Sequence, residues 1–202
     1  MNHPTNSPLP RRTARRLAMG AVAAGAFCLL QCQSTAIDAV SKARSVTAWA
    51  TVYEVLQHPR CLNCHPVDDV PLVGEHSEPH PQNVQRGPNG VGVFAMTCTT
   101  CHRGQNTAGE HMPPGVVGWH MPPRHQPMVF EGRKSAELAR QLADPKQNGN
   151  RSPADLLHHV TQDSLVLWGW QPGDGRAPVS VPHAQFVAAF QQWVDGGCQV
   201  PQ

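Results

Sequence analysis

Two short stretches hold residues whose types and spacing could do chemistry: "CLNCH" (Cys61–His65) and "CTTCH" (Cys98–His102). Each places two thiols with two residues between them and an imidazole directly after. That spacing lets both sulfurs reach one edge of a porphyrin and form thioethers with its vinyl groups. The residue that follows then turns beneath the iron, and a histidine there supplies the proximal ligand. On this reading Cys61, Cys64, Cys98 and Cys101 are covalent attachment points for two c-type haems, and His65 and His102 are the proximal ligands. The competing chemistry is a zinc site built from both cysteine pairs. Against it, Cys64 and Cys98 are separated by 33 residues (65–97), which is long for a compact zinc ribbon. With 12 histidines in 202 residues, chance would place His after both pairs only about 0.4% of the time.

An iron that shuttles electrons needs a sixth ligand, and methionine there raises the reduction potential relative to a second histidine. The distal candidates are His80, Met96, His120, Met121 and His159. For the first haem, His80 and Met96 lie within chain reach of His65. For the second, the segment "HMPP" (His120–Pro123) offers His120 and Met121, its prolines stiffening the loop. Met96 could instead lie between the haems, or pack as a core methionine on a short helix. On a helix over Ser152–Trp168, His159 borders the apolar face formed by Leu156, Leu157, Val160, Leu167 and Trp168, whereas His158 points away from it. His111, His125 and His183 read as solvated.

The elements that must position these residues are few. The chain has 20 prolines and 17 glycines and is only 5% aromatic, which predicts a mostly α fold: short helices joined by long loops. A helix over Ile37–Cys61 carries Val40, Ala43, Ala48, Val52 and Val55 at near-helical spacing, with Pro59 ending it beside the first motif. Ser135–Asp144 is a second helix, stopped by Pro145. Ser152–Trp168 opens with Ser152 as cap, Pro153 in the first turn and Asp155 completing a capping box. His183–Gly197 presents Phe186, Phe190, Trp193 and Val194 on one stripe and ends at Gly196. The stretches from Pro66 to Gly92 and from Gln105 to Pro127 are loops that wrap over something.

Residues 1–36 read as a signal peptide and 37–202 as a single dihaem domain. Arg11–Arg16 is a positive n-region, Leu17–Leu30 an apolar run too short to span a bilayer comfortably, and Ser34 and Ala36 suit cleavage after Ala36. Removing this segment takes away Arg11, Arg12, Arg15 and Arg16 and no acid, leaving 12 basic against 14 acidic side chains. The basic balance of the precursor therefore gives no reason to expect a nucleic-acid partner. Export implies the periplasm, with membrane association only if the segment is retained or Cys32 is lipidated.

The stretches "CLNCHP", "NVQRGPNGVGVFAMTCTTCH", "GWHMPPR", "QLADPKQNG" and "LVLWGWQPGDGR" together resemble a small family of exported dihaem c-type proteins labelled isoquinoline 1-oxidoreductase-associated subunits. The resemblance covers most of Ala48–Gly196. It implies cytochrome c-like helices around two covalent haems, and an electron carrier whose donor or acceptor is a redox enzyme or another cytochrome. It also implies a cysteine where this chain has Ala139, which would leave Cys198 as half of a lost disulfide. Nothing in the chain resembles a molybdenum-cofactor or iron–sulfur subunit. The alternative functions are a dihaem peroxidase-like enzyme and, less consistent with the motifs, a structural zinc module.

Overall fold

The computed structural model describes the backbone of residues 20–202 and side chains from residue 38 onward. Arg11–Arg16 and the side chains of Cys28 and Cys32 lie outside the described residues, as does the first part of the apolar run. By contacts the chain divides after Val40, and residues 41–202 form one compact unit. The fold is mostly helical: six helices and a few two-residue strands among the described residues. None of these helices is long and apolar enough to cross a membrane.

The first helix, α1 (Gly20–Leu56), begins well before the expected Ile37. No proline interrupts this stretch, so the backbone ladder has no reason to stop there. Its buried face within the compact unit is Ser45, Ala48, Trp49, Val52, Val55 and Leu56. Val40 and Ala43, expected on that face, are exposed. Helix α2 (Pro59–Leu62) starts the first cysteine motif, and His58 caps it by accepting from Arg60 N through Nδ1 (3.1 Å). Proline in the first turn costs nothing, because its missing N–H would have had no partner.

Helix α3 (Ser135–Ala143) ends before Pro145 as expected. The helix expected over Ser152–Trp168 is two: α4 (Pro153–Gln162) and α5 (Ser164–Trp168). The break is local. Asp163 adopts an extended conformation and its carboxylate accepts from Leu165 N (2.8 Å), so the side chain opens a new helix and ends the old one. The capping box of α4 forms: Asp155 N donates to Ser152 Oγ (3.2 Å) and Ser152 N to Asp155 Oδ2 (2.9 Å). Helix α6 (His183–Asp195) buries Phe186, Phe190 and Trp193 and hands over to Gly196.

These helices share one core. Trp193 and Trp49 are fully buried, with ring centroids 4.8 Å apart, and Phe190 packs edge-on to Trp193. Ser45 donates to Trp193 O (2.7 Å), tying α1 to α6, and Trp49 Nε1 donates to Ser135 Oγ (3.0 Å), tying α1 to α3. Ala139 sits inside this core and Cys198 packs at its edge. The loops carry two antiparallel hairpins: β1 (Leu72–Val73) with β2 (Glu78–Pro79), and β3 (Gly92–Val93) with β4 (Met96–Thr97).

Candidate functional site

Both cysteine motifs fold as a single turn. In the first, Cys64 N donates to Cys61 O (3.2 Å) and His65 N to Leu62 O (2.9 Å). In the second, Cys101 N and His102 N both donate to Cys98 O (3.3 and 2.9 Å). One tight turn brings each pair of sulfurs and the following imidazole to the same side of the chain.

The imidazoles are oriented in the same way. His65 Nδ1 lies 2.7 Å from Met128 O, and His102 Nδ1 lies 2.7 Å from Pro114 O. A carbonyl oxygen can only accept, so each Nδ1 carries the proton and each Nε2 keeps a bare lone pair. That is the tautomer a metal-ligating histidine needs, with the second hydrogen bond setting the ring plane. Burial is the main cause of the lowered pKa of His65, about 4, opposed by the bond to Met128 O and helped by nearby His159. Burial also lowers His102. Both rings are therefore neutral near pH 7.

Aromatic rings that the sequence pattern did not single out hold these imidazoles flat. Phe130 stacks on His65 (centroids 3.8 Å, interplanar 7°) and Trp119 on His102 (4.6 Å, 3°). Trp119 in turn meets Trp168 edge-on at 5.1 Å. Asn106 locks this group: its Oδ1 accepts from Trp168 Nε1 (2.9 Å) and from Gly115 N (3.0 Å), while its Nδ2 donates to Gln171 O (3.1 Å). The peptide next to Pro114, whose carbonyl orients His102, is thus fixed from behind. Gly115 is required there, because a Cβ would run into Arg103 O and lie 2.5 Å from Gln105 O.

The two motifs are neighbours. Burial, then the adjacent Cys64, push the Cys61 thiol up to about 12; burial, then nearby Cys98, push Cys64 up to about 11. Among the described residues, no three His, Cys, Asp or Glu side chains converge on a point where a metal ion would sit. The four cysteines do not form one tetrahedral set. Each motif instead offers two thiols and one free imidazole nitrogen, the donor set that a c-type haem takes.

Arg86 joins the two loops. It is fully buried, and its guanidinium donates to Pro66 O, Asp68 O, Pro122 O and Pro127 O (2.9–3.4 Å), with Asp69 Oδ1 at 3.6 Å. One side chain thus connects the exit of the first motif to the segment carrying Met121 and Met128. Its signal in the sequence is weak, since arginine is usually exposed. Gly90 serves the same loop: its φ is +78°, and a Cβ would collide with Met121 O.

The distal candidates separate. His80, expected near the first motif, faces the second: its ring lies edge-on to His102 with centroids 6.3 Å apart. The β1–β2 hairpin stays tied to the first motif, Leu72 N donating to Asn63 O (2.9 Å), and His80 N donates to Pro71 O (2.9 Å) at its base. His159 is half-buried and donates from Nδ1 to Asp163 Oδ2 (3.1 Å). It lies within electrostatic reach of His65 and lines a cleft of about 380 Å³ with Arg151, Asp155, His158 and Asp163. His158 is exposed. His120 is exposed, with Nδ1 on Gly118 O (2.6 Å), and it acts electrostatically on Asp163. Met121 is buried, its N–H donating to Gly90 O (2.8 Å). Met96 is on strand β4, not a helix, and is exposed, so it is not a core residue. Among the three histidines read as solvated, His111 and His125 are exposed. His183 is not: its ring packs edge-on to Trp170 at 4.6 Å, and its Nε2 lies 2.9 Å from Val160 O.

No protein-family model matches this chain, no curated protein matches it, and no solved structure matches it.

Proposed function

We propose that the chain is an exported dihaem c-type cytochrome that passes electrons to or from a partner redox enzyme or a second cytochrome in the periplasm. In this reading its helices are cytochrome c-like, Cys61 and Cys64 hold one haem, Cys98 and Cys101 the other, and His65 and His102 are the proximal ligands. The observation that carries it is the shared geometry of the two motifs: in each, a one-turn CxxCH segment ends in an imidazole whose Nδ1 is bound to a backbone carbonyl at 2.7 Å. When bound, the haems supply one-electron redox chemistry.

The polypeptide's part is to position and to shield. Met128 O and Pro114 O hold the imidazole planes, and Phe130 and Trp119 restrict their rotation. Rigid ligands limit the reorganisation that accompanies each change of iron charge. The electrostatic coupling of Cys64 to Cys98 supports two cofactor positions near one another, which would suit transfer between them.

The test is maturation with haem-attachment machinery, followed by haem staining of denaturing gels and intact mass. Two covalent haems are expected, and Cys61→Ala with Cys64→Ala should remove one and lower the melting temperature. A mass equal to the bare polypeptide would sink the reading. Rapid cyanide or carbon monoxide binding by the native protein, together with peroxide turnover, would favour a peroxidase instead.

A further inference from the structure

We infer that His80 is the second axial ligand of the iron held by Cys98, Cys101 and His102, so that this haem carries two imidazoles. The inference rests on the haem reading of the second motif. It starts from a distance. A metal–imidazole bond is about 2.0–2.1 Å long and the ring centre lies roughly 1.1 Å behind the ligating nitrogen, so two imidazoles on opposite sides of one iron have centroids about 6.2–6.4 Å apart. The His80 and His102 centroids are 6.3 Å apart. An edge-on ring pair can also stand at this separation; what singles this pair out is the chemistry of its free nitrogens.

The free nitrogens are the right ones. His80 Nδ1 lies 2.7 Å from Pro81 O, as His102 Nδ1 does from Pro114 O. Both carbonyls can only accept, so in both rings Nε2 is the atom left to bind. The two rings are inclined at 71°, and mutually rotated axial imidazoles are compatible with one iron because each plane is set by its own hydrogen bond.

His80 is also held in place. Its N–H donates to Pro71 O (2.9 Å) at the end of the β1–β2 hairpin, where Pro79 pairs with Leu72. Proline flanks it on both sides. Directly beyond, Gln82 and Asn83 both have positive φ (64° and 53°). Consecutive left-handed non-glycine residues are costly, and such strain persists where the surroundings need a particular aim of the chain. Here the hairpin that leaves the first motif delivers a ligand to the second. The two sites are interlocked, since the first motif's own loop closes its neighbour's iron.

The experiment uses full-length protein matured with haem, as wild type, His80→Ala and His80→Met. Intact mass and peptide mapping count covalent haems, electron paramagnetic resonance and near-infrared spectra report ligands and spin, and spectroelectrochemical titration reports both potentials. All three proteins should keep two haems. His80→Ala should turn one of the two high-spin, or show a replacement ligand band with a shifted potential. His80→Met should keep both low-spin, add a methionine–iron band and raise one potential while leaving the other in place. In a Cys61→Ala/Cys64→Ala background, the same change should fall on the sole remaining haem. Spin states and potentials identical to wild type in both His80 variants would overturn the assignment, as would an unaltered remaining haem in that background. If the alanine variant fails to accumulate, the methionine variant alone decides. A wild-type mass lacking the haem on Cys98 and Cys101 would instead overturn the reading on which the inference rests.

Discussion

Replacing Arg86 with methionine is the sharpest test of how the loops are held. The arginine side chain is 0% exposed and donates to four backbone carbonyls, those of Pro66, Asp68, Pro122 and Pro127. Methionine preserves most of the stem volume, so a large cavity does not form. What changes is that several carbonyls lose a charged donor, and each buried acceptor left alone costs about 1–3 kcal/mol. Relief of the guanidinium's own burial offsets part of this. Asp69 is not stranded, because Arg124 Nε remains 2.7 Å away. A net loss of about 3–5 kcal/mol follows, from the carbonyls left without a donor less the relief of burying the guanidinium. For a domain of this size each kcal/mol is worth roughly 2–4 °C, so the melting temperature should fall by about 6–20 °C. Far-ultraviolet circular dichroism of the haem-matured protein measures it. Arg124→Met is the control: that side chain is 53% exposed and shares Asp69, and its loss should cost less than about 1 kcal/mol. An Arg86→Met protein that melts with the wild type, or no lower than Arg124→Met, would refute the argument that buried carbonyls depend on this residue.

Two further outcomes follow from the same packing. Asn106→Ala removes the acceptor shared by Trp168 Nε1 and Gly115 N and frees the carbonyl that orients His102; potentiometry should show one haem potential moving, with two haems still attached by mass. Trp193→Ala empties a fully buried site packed on Trp49 and Phe190 and should cost about 3–5 kcal/mol by thermal unfolding, with the haem count per folded molecule unchanged.

Some of this protein is written locally and some is not. The one-turn fold of the cysteine motifs could be read directly, because residues three and four apart are neighbours on one turn of backbone. Helices α3, α4 and α6 were legible for the same reason: Ser152 with Asp155, Pro145 and the Phe186–Phe190–Trp193 stripe act within a few residues through backbone sterics and hydrogen bonds. The break at Asp163 was legible in principle, as an aspartate two residues before a free N–H, but the apolar pattern ran across it and hid it.

The partners across space left no such trace. His80 is 22 positions from His102, and nothing periodic in "EPHPQN" tells which imidazole it will face. The β1–β2 hairpin decides that, by fixing His80 through the bond from its N–H to Pro71 O. Burial of Arg86 depends on four carbonyls gathered from two distant loops, and the stacking of Phe130 and Trp119 on the two histidines depends on where those loops cross. Pro- and Gly-rich segments restrict single residues without imposing a repeat, so their path is set only when the assembled core and the hydrogen bonds across it select one arrangement.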